Sequence, residues 1–219
     1  MSDAAGALLT QPKLGSPVDL LLWFFFLALI PVLAITMTSF TRIVVVLGLL
    51  RAALGTSALP PNGVIIALAL MLTGAIMAPT FGRIDDEAVR PYVSHRLSAS
   101  AAVERGAIPL HAFMLRQTRR SEIAAFARIA HTSNRPGTQV PFLVLAPAFL
   151  VSELRAAFAM GFALALPFAV IDIVVATALM SLGMFMVSPA TVSLPLKLLL
   201  FVVADGWTLI VSALVASYR

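Results

Sequence analysis

Seven ionisable side chains lie within or beside long apolar runs: Arg42, Arg51, Glu153, Arg155, Asp172, Lys197 and Asp205. At bilayer depth an unpaired charge costs about 2.5 kcal/mol or more, so each must face protein or water and find a partner. Two chemistries meet that requirement. Opposite charges can pair between helices or between subunits, or carboxylates and ammonium groups can form a relay for ions. Arg51 and Arg155 fall at expected helix ends and read as structural ion pairs. Glu153, Asp172, Lys197 and Asp205 admit either pairing or a transport role.

Other reaction chemistry lacks its residues. There is no P-loop, no G-x-S-x-G elbow and no H-E-x-x-H. His95, His111 and His131 stand 16 and 20 residues apart, which suits surface or capping histidines better than a metal set. Asp85-Asp86-Glu87 reads as a helix start, where acidic residues complement the helix dipole. The sequence contains no cysteine, so disulfides and thiolate sites are excluded. Neither enzyme activity nor a cofactor or metal is expected.

Met180, Met184 and Met186 cluster before Pro189, with Phe185 between the last two. Methionine is flexible and polarisable and fills irregular gaps. The cluster is core filler in a bundle or, if several chains each contribute it, a deformable apolar collar around a pore.

The composition says where these residues sit. Of 219 residues 60% are hydrophobic and 11% charged, with mean hydropathy +1.00. A soluble monomer of that balance would expose apolar patches that soluble proteins avoid. The net charge is +5, but the 13 arginines form no basic stripe interleaved with aromatics, so no nucleic-acid partner is expected. Residues 81 to 137 hold 14 of the 25 charges, nine Arg against five acids. Uncharged runs from Leu20 to Thr41, Ala52 to Gly82, Ala156 to Ile171 and Ile173 to Leu196 have membrane-helix lengths.

The expected fold is an all-α integral membrane protein of about four long, partly kinked helices in two hairpins, with a small helical polar insert. Residues 1–16 form an N-terminal tail, 17–80 the first hairpin, 81–137 the polar insert and 138–219 the second hairpin. The apolar run from Leu20 is long for a secretory signal, and no cleavage site is evident, so it is read as a helix kinked at Pro31 and running on to Leu54. Gly55 stops it. The second helix is expected to end at Pro79. Pro91, Pro109 and Pro136-Gly137 are expected to cut the insert into short helices, one with Ile123, Phe126, Ala127 and Ala130 on a single face. A third helix runs from about Pro147 to Phe185 with a kink at Pro167, and a fourth from Val192 to Ser217. A turn at 187–189 sets Asp172 level with Asp205 rather than with Lys197. Lys197 would then face a carboxylate of another chain, with Glu153 the candidate.

Several of these residues also carry a family resemblance. Thr38-Ser39-Phe40-Thr41-Arg42, Leu50-Arg51, Pro60-Pro61-Asn62, Phe113 to Arg119, Ser152-Glu153-Leu154, Met160-Gly161-Phe162, Ile171-Asp172, Met180 to Met186, Leu194 to Leu198 and Asp205-Gly206-Trp207 resemble the FliP family of flagellar type III export-gate proteins. The resemblance runs from about residue 18 onwards. The injectisome family SctR shares much of the pattern, but Thr41-Arg42 and Leu115-Arg116-Gln117-Thr118-Arg119 favour the flagellar side.

The resemblance implies a non-enzymatic subunit that assembles with its own copies, five in the family, and with FliQ, FliR and other export-apparatus membrane proteins. The assembly sits in lipid at the bacterial inner membrane, in the flagellar basal body, and surrounds a channel for unfolded flagellar proteins. It also implies a periplasmic polar insert, a gate of Met184, Phe185 and Met186, and inter-subunit charge pairing by Arg119, Glu153 and Lys197. Asp172 and Asp205 remain buried charges. A small-solute or ion transporter using Asp172, Lys197 and Asp205 is the rival reading.

Overall fold

The computed structural model describes residues 35–56, 59–131 and 140–218, with further single positions between 20 and 33. Among them there is no strand, and the protein is all-α. The expected tail 1–16, the kink at Pro31 and the break at Pro136-Gly137 fall outside the described residues.

Counting from the first helix with both ends described, α1 is Phe40–Leu54 and α2 is Asn62–Ile84. A π-helical turn, Asp85–Val89, leads into α3, Arg90–Val93. Then come α4 (Ala99–Gln117), α5 (Arg120–Ile129), α6 (Phe142–Ser181), α7 (Pro189–Val203) and α8 (Gly206–Ala216). The chain divides into two compact units, one of residues 1–38 and 77–152, the other of 39–76 and 153–219.

In the unit of 39–76 and 153–219, Ile43, Val46, Leu47, Leu50 and Leu54 of α1 are buried at helical spacing. They pack with Ile65 and Ala69 of α2, Ala157 and Phe168 of α6, Phe201 of α7, and Ile210 and Leu214 of α8. On α6 the inward stripe is Glu153, Ala157, Gly161 and Phe168. A Cβ on Gly161 would lie 2.3 Å from Leu49 Cδ1 and 2.8 Å from Leu49 Cβ, so glycine is what lets α1 approach α6. A Cβ on Gly206 would lie 2.3 Å from the Phe201 ring, which stacks edge-on with Trp207 at 5.3 Å. The outward face of α6 stays apolar: Phe158, Phe162, Leu166, Val170 and Ile173 are all more than half exposed. Water does not tolerate such a face; lipid or another apolar protein surface does.

In the unit of 1–38 and 77–152, α4 packs on the π-turn, where Gly106 lies against Ala88 and Ile84. Ser98 caps α4 by accepting from the Ala101 N–H. Phe113 meets Phe149 edge-on at 5.9 Å. Ser152 Oγ closes the α4–α5 joint by accepting from the Arg119 N–H and donating to the Gln117 carbonyl. Ile123 and Ala127 are buried as the spacing predicts, whereas Ala130 is exposed just past the end of α5.

Two helical stretches, 62–93 and Phe142–Ser181, are long and apolar enough to cross a membrane, and α7 with α8 forms a third candidate bent by 64°. Several expected boundaries move. The run to Leu54 is interrupted at 37–39, just before α1. Pro79 and Pro109 stop nothing: α2 and α4 continue through them, while α6 runs through Pro167 as the expected third helix does. One lost backbone bond costs less than exposing several more polar groups in apolar surroundings. The expected fourth helix breaks at Asp205, which takes a left-handed backbone (φ 49°). The acidic triplet opens the π-helical turn inside the continuous helical stretch 62–93. Asp85 and Asp86 pair with Arg90 at 2.8 and 3.0 Å, and Glu87 pairs with Arg83 at 3.4 Å.

Candidate functional site

Two ion pairs and one turn in the unit of 39–76 and 153–219 bring together most of the singled-out residues.

The first pair joins α1 to α6. Arg42 Nη2 lies 2.5 Å from Glu153 Oε1, and Arg42 Nε donates to Oε2 at 2.9 Å. Both side chains are buried, Glu153 completely. The fork of donors matches the two carboxylate oxygens, the geometry that makes arginine the usual partner in buried pairs. Remaining valences are met from the end of α8. Arg42 Nη1 donates to the Ser217 carbonyl and hydroxyl, and the Tyr218 hydroxyl donates to Glu153. The Tyr218 ring lies 3.9 Å from the guanidinium, a cation–π contact. A buried pair with every valence met tolerates its desolvation; one stripped of a partner does not.

The second pair joins α6 to α7. Lys197 Nζ lies 2.6 Å from Asp172 Oδ2 and donates to the Ala53 carbonyl at 3.2 Å. Lys197 is buried, while the Asp172 side chain is 47% exposed. A hollow of about 490 Å³ opens beside them, lined by Ala53, Ala169, Ala176, Ala190 and Ser193 among others.

This corrects the level expected for Asp172. It stands opposite Lys197, not Asp205, because the turn begins at the end of α6 near Leu182 and is longer than three residues. The Lys197–Glu153 pairing was expected between chains; within this chain Lys197 pairs with Asp172 and Glu153 with Arg42. Arg119 is exposed, and Asp205 is exposed at the α7–α8 bend. Arg51 hydrogen-bonds Asn62, joining the end of α1 to the start of α2. Ser217 and Tyr218 were not foreseen as partners. Nothing local marks them, since their role depends on α8 returning to the level of Arg42.

The turn follows α6. Gly183 adopts the left-handed conformation (φ 73°), its N–H bonds the Met180 carbonyl, and the Met184 N–H bonds that of Leu179. This is the Schellman termination of a helix, and glycine fits the left-handed position without a Cβ penalty. Ser188 and Pro189 then start α7. Between these stops Met184 is 44% exposed, Phe185 80% and Met186 99%. None of the three is core filler in the single chain.

A chain that is helical throughout its described elements, with two or three spans of membrane length, a sealed Arg42–Glu153 pair and a broad exposed apolar face on α6, is a membrane protein. Comparison with known sequences gives the family: residues 23–214 match the FliP family, and the chain belongs to it. It is 50% identical over 193 residues to the flagellar biosynthetic protein FliP of Pectobacterium carotovorum subsp. carotovorum, covering 88% of this chain and 75% of that one. With its namesake from Bacillus subtilis (strain 168) the identity is 44% over 207 residues, 94% of each chain. With the relative from Buchnera aphidicola subsp. Acyrthosiphon pisum (strain APS) it is 45% over 204 residues, 93% of this chain but only 54% of that protein's length.

Proposed function

We propose that the chain is a non-enzymatic core subunit of the flagellar type III protein export apparatus in the bacterial inner membrane. Copies of it, five by family resemblance, assemble with FliQ, FliR and other membrane proteins of the apparatus around a passage for unfolded flagellar proteins. The polar insert faces the periplasm. Met184, Phe185 and Met186 supply the gate, and exposed Arg119 takes part in charge pairing between neighbours.

The observation that carries this reading is the apolar turn, held by firm stops at Gly183 and Ser188-Pro189 yet almost fully exposed at Phe185 and Met186. Several such turns around one axis make an apolar constriction, which blocks ions by dewetting and yields to a chain because methionine is flexible. The named relatives are flagellar biosynthetic proteins, which favours the flagellar over the injectisome reading.

The test is a low-resolution image of the purified complex together with ion leak in cells. A ring or spiral with a central hole is expected, and leak is expected to rise when Met184, Phe185 and Met186 are all shortened to Ala. A compact monomer, or no added leak from the triple variant, overturns the proposal.

A further inference from the structure

The chain buries one lysine beside three helices, and its place relative to the turn suggests what it does. Lys197 lies eight residues into α7, roughly 12 Å from the start of that helix. Asp172 lies nine residues before the end of α6, roughly 14 Å from it. The pair therefore ties the two arms of the hairpin at one level, set back from the turn. The third contact ties both arms to α1. Gly55 takes a left-handed backbone and its N–H bonds the Ala52 carbonyl, which leaves the Ala53 carbonyl to accept from Lys197 Nζ. A helix C-terminus carries partial negative charge, so the ammonium group sits between two negative poles.

On one side of this pin, Phe168 and Phe201 belong to the packed core. On the other side, Met180, Leu182, Phe185 and Met186 are more than 60% exposed. Beside the pin lies the hollow of about 490 Å³, lined by alanines of α1, α6 and α7 together with Leu54, Pro189 and Leu194 among others. Protein interiors are otherwise close-packed, so an open space next to a fixed point leaves the hairpin end room to move once that point is lost.

We infer that Lys197, seated between the Asp172 carboxylate and the Ala53 carbonyl, is the clamp of the Met184–Met186 turn: it fixes the hairpin arms to the end of α1 and holds the turn in one position, and without it the turn shifts toward or away from the hollow. The inference deepens the gate reading and rests on it only for the consequence in export. The mechanical part stands on the single chain.

The experiment uses the absence of cysteine. Spin labels placed by Met186→Cys and Ile66→Cys in the full-length protein report the distance from the turn to the start of α2. With Lys197 present the expected distribution is narrow and single. Lys197→Met and the isosteric Asp172→Asn are both expected to lose that single distance and broaden it, while Lys197→Arg retains it, because a guanidinium reaches both acceptors. The exchange Asp172→Lys with Lys197→Asp is expected to stay broad, since it sets a carboxylate against the Ala53 carbonyl. A narrow distribution in both Lys197→Met and Asp172→Asn overturns the inference. So does full recovery in the exchange variant, which would mean that the end of α1 plays no part. Ion leak in assembled complexes of the same variants is read separately. Broadened distances without leak uphold the clamp and count against the gate.

Discussion

Arg42–Glu153 and Lys197–Asp172 use the same attraction in different surroundings. The first is sealed: neither side chain is more than 5% exposed, and four further contacts come from Ser217 and Tyr218. The second keeps a buried cation but a half-exposed anion, beside an open hollow. A sealed pair has no water to fall back on, so breaking it strands a charge. A half-open pair can rehydrate its exposed member. The first therefore acts as a structural lock, whereas the second can hold or release at modest cost.

The largest expected effect follows from the sealed pair. Arg42→Met strands Glu153 and should destabilise the fold by about 3–5 kcal/mol, seen as loss of thermal stability in detergent. Removing both charges with Arg42→Met and Glu153→Leu should cost less than Arg42→Met alone. A double variant no better than the single would make the two pairs alike. Next comes Gly161→Ala, whose added methyl meets Leu49 and should cost roughly 1–3 kcal/mol, relieved only in part by Leu49→Ala, which keeps a Cβ 2.8 Å away. Lys197→Met should fall in a similar range, about 1–3 kcal/mol, and below Arg42→Met in the same melting assay, because Asp172 retains contact with water. Equal losses at Arg42 and Lys197 would erase the contrast drawn from exposure.

The smallest effect concerns Tyr218. Burial, and then the Glu153 charge beside it, pushes its phenol up from the ordinary value. The proton is thus held more tightly in the folded than in the unfolded chain. The associated stability is fully present below the unfolded tyrosine pKa of ~10 and declines as pH rises past it. Tyr218→Phe keeps the ring over Arg42 but loses the donor. It should cost about 1 kcal/mol at neutral pH and flatten the alkaline decline in melting temperature.

Much of the helical content was legible because uncharged runs of membrane length leave few alternatives, and Gly55 marks a helix end by local backbone preference; Ser188-Pro189, read as a turn before a helix from Val192, instead starts α7. Two prolines misled. Pro79 and Pro109 sit inside continuous helices, since breaking a helix frees several backbone polar groups where a proline removes one bond. Pairing partners were the least legible part. Asp172 and Lys197 were singled out by their cost, yet their register depends on where α6 stops. That is set by Gly183, five residues before Ser188. Tyr218 gave no local signal at all.

What the sequence by itself determined is the solvent of this protein and the list of its problems: apolar helices with a few charges that must not stand alone. Its hydrophobic content and the isolation of its charges are enough for that, because transfer costs are properties of residues. Which charge meets which was decided only in the tertiary structure. The spacing of Arg42, Glu153 and Tyr218, or of Ala53, Asp172 and Lys197, is a property of helix ends, close approach at Gly161 and the bend at Asp205, and not of distance along the chain.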